Sequence, residues 1–68
     1  MREHDIVRLI AARPDHGLLP GATGTIVHIF ERPTRAFEVE FCDADGRTIA
    51  QFALTPAEIE SASAHQTA

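Results

Sequence analysis

The sequence predicts an all-β chain: one small antiparallel barrel of four to five strands with a short terminal helical turn. Three observations carry this. Short runs of β-branched and aromatic residues recur along the chain, separated by Pro and Gly turn signals. Helical signals are confined to one turn near the end, which excludes an α/β fold. The 68 residues hold a single domain and are too few for a sandwich.

The first run, "HDIVRLIA" at residues 4–11, puts Val7 and Leu9 on one face and Arg8 on the other. A long polar connection follows. In it, Pro20 and Gly21 occupy the second and third places of a type II turn, the third place needing a positive φ that glycine adopts cheaply. Gly24 sits where the chain swings into the next strand, a position for a bulge or a close backbone approach. "TIVHIF" (residues 25–30) is the second strand, and "ERPTR" a short turn. "AFEVEF" (residues 36–41) alternates cleanly, with Phe37, Val39 and Phe41 inward and Glu38 and Glu40 outward. Asp45–Gly46 is a hairpin signal, and "RTIAQFAL" (residues 47–54) returns as the fourth strand. In "TPAEIE", Thr55 is an N-cap, Pro56 the first helical residue and Glu58 the capping-box partner, so one helical turn brings Ile59 under the core. Domain and tail divide at residue 60, and the small polar residues 61–68 read as a disordered tail. The expected core is Val7, Leu9, Leu18, Ile26, Ile29, Phe37, Val39, Phe41, Phe52, Leu54 and Ile59, with Leu18 and Ile59 plugging the two ends.

Composition bounds the function. Six basic residues, all Arg, stand against ten acidic ones, for a net charge of −4. That sign opposes general binding to nucleic acid or anionic membrane and suits a basic protein partner. The absence of Lys, Asn, Tyr and Trp is a codon signature of a GC-rich bacterial genome. The single cysteine, Cys42, fits a reducing compartment, "MREHD" is too acidic to open a signal peptide, and no apolar run reaches membrane-spanning length. A cytoplasmic protein is expected.

No motif for catalysis or cofactor binding emerges. "GATG" lacks the Lys of a phosphate loop and leads into a strand rather than a helix, so no cofactor is expected there. His4, His16, His28 and His65 show no metal-ligand spacing; His16 with Asp15, and His28 with Glu38 or Glu40, read as structural pairs. Cys42 has no positioned base. The chain is therefore expected not to be an enzyme.

Two binding surfaces remain. Glu38, Glu40, Asp43 and Asp45 form the densest acidic group and the candidate partner-binding surface; Asp45 also serves the turn with Gly46. A small acidic protein of this kind can be an antitoxin- or immunity-like neutraliser, or an accessory partner, of a basic protein. The alternative comes from "G-x-x-G-T-I-V", which resembles the lead-in to the second strand of SH3-like barrels, among them the KOW-type modules of ribosomal and transcription proteins. It would contact RNA or DNA through Arg32, Arg35 and Arg47, clustered at one barrel end. Val27 and Phe30, or open strand edges, are candidates for a homodimer contact.

Over its length the chain resembles a family of small bacterial proteins catalogued as domain of unknown function 4926. Its stretches "DIVRL", "HGL", "GATGTIVH", "FEVEF" and "DADGRT" match that family's "D-x-V-x-L", "H-G-L", "G-x-x-G-T-V-V-H", "F-E-V-E-F" and "D-x-D-G-R-T". The resemblance implies an SH3-like barrel with no established activity. "ERPTR" departs from it, since turns with Gly are more usual there.

Overall fold

A computed structural model of the chain describes residues 1–62. Five antiparallel strands form one sheet: β1 (Ile6–Leu9), β2 (Thr23–Phe30), β3 (Ala36–Cys42), β4 (Thr48–Leu54) and β5 (Ile59–Ser61), in the order β4-β3-β2-β1-β5. A 3₁₀ turn, η2 (Pro56–Glu58), links β4 to β5, and a second, η1 (Pro14–His16), lies between β1 and β2. This is the expected small SH3-like arrangement, bent so that one face of the sheet encloses the core.

The local chemistry accounts for each join. Ala22 donates its N–H to the Leu19 carbonyl at 3.1 Å across Pro20 and Gly21, and Gly21 adopts φ +88, as a type II turn requires. That turn docks on β1, because Gly21 N–H donates to the Leu9 carbonyl at 2.8 Å. This contact, with Ile10 N–H donating to the Glu58 carbonyl at 3.0 Å, draws the chain away and ends β1 at Leu9, shorter than the run at residues 4–11 suggested. At the β3–β4 hairpin, Asp43 Oδ1 accepts from the N–H groups of Asp45 and Arg47, each at 2.9 Å, while Gly46 takes φ +84. Thr55 caps η2 in a capping box with Glu58, whose Oε1 accepts the Thr55 N–H at 2.8 Å.

Gly24 lies inside β2 rather than before it, since β2 begins at Thr23 and pairs Gly24 with Val7. Its missing side chain lets β2 press against β3: a Cβ there would stand 2.6 Å from Val39 Cγ1 and 2.9 Å from the Glu40 carbonyl oxygen. The bulge falls elsewhere, at Val27, where the β2–β3 register shifts between Ile26 and His28. One extra residue reverses which positions face inward. Ile26 therefore packs opposite Val39, and Ile29, an odd number of residues on, still packs opposite Phe37. The apolar residues on both faces of this strand are largely explained by that shift.

The buried core is Val7, Leu9, Leu18, Ile26, Phe37, Val39, Phe41, Leu54, Ile59 and Ala62. Ile29 and Phe52, expected inside, are only half-buried and pack against its margin. Ala62 and Ser61 correct the expectation of a tail starting at residue 61. Ser61 pairs with Val7 in the sheet, and Ala62 N–H donates to the Ile6 carbonyl at 2.9 Å. The rest of that segment, residues 63–68, lies outside the described residues.

Candidate functional site

The outward face of β3 carries Glu38 and Glu40 between two neutral strands. Register sets Glu38 between His28 and Ala53, and Glu40 between Thr25 and Gln51. Both carboxylates are held from the β4 side: Gln51 Nε2 donates to Glu38 Oε2 at 2.6 Å, and the Thr48 hydroxyl donates to Glu40. Asp43 and Asp45 continue the acidic row into the β3–β4 turn, Asp43 fixed by its two backbone bonds and Asp45 exposed. None of these four carboxylates is paired with an Arg among the described residues, whereas Glu60 pairs with Arg8, and Asp15 and Glu58 with Arg13. The register thus keeps Glu38 and Glu40 on one face of β3, with Asp43 and Asp45 following in the adjoining turn.

Beside it, Ile6, Thr23, Gly24, Thr25, Glu40 and Cys42 line a shallow, open depression of about 190 Å³. It is too open to exclude water from a reacting group, and its one carboxylate already accepts from Thr48. Cys42 is exposed at its rim. No group of three or more His, Cys, Asp or Glu side chains gathers at metal-binding range among the described residues.

The three arginines of the nucleic-acid alternative are not brought together. Arg32 and Arg35 lie in the β2–β3 turn, which contains a cis Arg32–Pro33 bond, and Arg35 rests 5.5 Å over the Phe37 ring. Arg47 lies in the β3–β4 turn, at the far end of seven-residue β3. Successive hairpins put their turns at opposite ends of the shared strand, about 20 Å apart for a strand of this length. A single barrel-end cluster of Arg32, Arg35 and Arg47 is therefore ruled out by the topology.

Histidine contacts also differ from expectation. His28 is the register partner of Glu38, yet its Nδ1 lies 3.9 Å from Glu3 and its ring meets Phe30 edge-on at 4.6 Å. Glu38 is turned instead to Gln51. His16, 3.5 Å from Asp15 as anticipated, makes a further contact that the sequence did not reveal: its ring stacks parallel on Phe52 at 3.9 Å. Arg13 lies 4.7 Å over the same ring and 3.6 Å from Glu58, while the other neighbour of Phe52 is buried Phe41. The first loop is thus clasped to β4 and to η2. Within the clasp, the Arg13 guanidinium bonded to Asp15 holds that carboxyl below its usual value.

His16→Ala should cost about 1 kcal/mol, the stacking contribution plus lost burial. Thermal unfolding should then fall by roughly 4–8 °C for a domain of this size. An unchanged melting temperature would show that the stack carries no stability.

A family model described as Domain of unknown function (DUF4926) matches residues 3–61. No curated protein matches the chain, and no solved structure does.

Proposed function

The chain belongs to the family of domain of unknown function 4926, and from that premise we propose that it is a non-catalytic binding module for a basic protein. The observation that carries this reading is the uncompensated acidic row Glu38, Glu40, Asp43 and Asp45. Three of its carboxylates are anchored by neutral donors (Glu38 by Gln51, Glu40 by Thr48, Asp43 by backbone N–H groups) and Asp45 is exposed in the turn, so their charge stays available to an incoming cation. A rigid strand and a tight turn hold them, which lowers the ordering cost of recognition.

Charge of this kind steers encounter and selects the sign of the partner more than it sets the final affinity. A neutralising role toward a basic enzyme, antitoxin- or immunity-like, is the specific form that best suits a small acidic barrel whose depression beside β3 is shallow and open. Its cheapest check is whether a gene for a protein of high isoelectric point recurs beside this one.

Affinity capture of the tagged protein from its host lysate, with and without nuclease, tests the class of partner. One stoichiometric basic protein that survives nuclease is expected. Ribosomal or polymerase proteins that vanish with nuclease would move the reading to nucleic acid.

A further inference from the structure

The sheet ends on two strands of different character, β4 and β5. β5 has only three residues, and its Glu60 carries a charge paired to Arg8. Shortness and charge both discourage pairing at an edge. β4 is the opposite: seven residues, "TIAQFAL", with no charge and no proline. Apart from its ladder to β3, β4 makes no backbone hydrogen bond to another element among the described residues. Such an edge offers a free row of backbone donors and acceptors.

We propose that β4 pairs antiparallel with β4 of a second copy of this chain, joining two sheets across a two-fold axis at Gln51. That register is self-complementary in size. Ile49, 54% exposed, comes opposite the second copy's Ala53, while half-buried Phe52 comes opposite the second copy's Ala50. A large side chain meets a small one on each face.

Charge favours a second copy over a charged partner at this edge. An uncharged strand gives a basic or acidic protein nothing to select, and β5 is too short and too charged for a head-to-tail chain of β4 on β5. The dyad stands perpendicular to the sheet, so both acidic faces lie on the same side. The two β3 strands are then three strand spacings apart, about 14 Å, and each Glu38 leans toward its own Gln51 at the dyad. The two acidic faces therefore repel, a repulsion that salt screens and that grows as salt is removed. The bulge that leaves Ile49 unpaired with β3 limits the paired stretch, so the interface is small and association concentration-dependent.

The inference does not rest on the basic-partner reading, and its salt dependence has the opposite sign: dimerisation strengthens with salt, whereas capture of a basic protein weakens. Sedimentation across a wide concentration range should show the 7.4 kDa chain approaching twice that mass. Ile49→Lys, at an exposed position, should return it to monomer with an unchanged circular dichroism spectrum. In a Cys42→Ser background, Gln51→Cys should oxidise to a symmetric disulfide dimer, because directly opposed Cα atoms lie about 4.5–5.5 Å apart, within disulfide range. Glu60→Cys, on the other edge, should not. A monomer at every concentration, a series of higher species, or equal cross-linking of both cysteine variants would overturn the proposal.

Discussion

Gly24→Ala is expected to remove a large part of the stability of this domain. The added Cβ would meet Val39 Cγ1 at 2.6 Å, the Glu40 carbonyl oxygen at 2.9 Å and Phe41 Cδ2 at 3.0 Å. Val39 and Phe41 are fully buried, with no room to retreat, and the carbonyl oxygen is part of β3 itself. Relief requires β2 and β3 to separate, which opens the core along its centre. Overpacking of a tight core costs about 1–3 kcal/mol. A single hydrophobic core of this size supplies only roughly 3–5 kcal/mol. Gly21→Ala is the matched control: its φ of +88 strains any side chain, but nothing lies within 4 Å. It should cost about 1–2 kcal/mol through backbone strain alone. Urea unfolding of both variants decides the comparison. If Gly24→Ala unfolds with wild-type midpoint, the close approach of β2 to β3 is not what holds the fold.

The second large effect belongs to the acidic face. Replacing Glu38 and Glu40 together by Lys changes the formal charge by two units at each position, taking the chain from −4 to zero. It also puts cations where a basic partner would meet anions. Electrostatic steering alters association rates by about 10- to 1,000-fold. A fall of at least about tenfold in the association rate of the captured partner is expected, and its dependence on salt should flatten. Dissociation should change less. Both side chains lie on the outward face of β3, their polar bonds being to Gln51 and Thr48, so the fold should survive and thermal melting should confirm it. A folded double variant that associates at the wild-type rate would exclude this face.

Much of the architecture was legible in the sequence because local rules and the global fold agree. The alternation of "AFEVEF" assigned both faces of β3, and Pro20–Gly21, Asp45–Gly46 and Thr55–Glu58 each marked a turn or cap that the structure contains. The bulge at Val27 was not legible, since one extra residue in a β-branched strand leaves no mark in composition or propensity. β5 was missed for a related reason: Ile59 and Glu60 read as the end of a helical turn, and Ser61 and Ala62 as the start of a tail, until pairing with β1 gives them a place. The clasp of His16 and Arg13 on Phe52 depends on the path of a long loop, which hydropathy does not encode.

The candidate site divides along the same line. Glu38 and Glu40 share a face because strand periodicity is a local property. The separation of Arg47 from Arg32 and Arg35 was available from hairpin topology, which places consecutive turns at alternate ends.

The most direct test of the basic-partner reading is a paired capture from one nuclease-treated host lysate. The wild-type chain and the folded Glu38→Lys, Glu40→Lys variant are immobilised side by side at equal density. The account predicts one basic protein in stoichiometric amount on the wild-type column and its loss from the reversed one. The same proteins in the same amounts on both columns would contradict it.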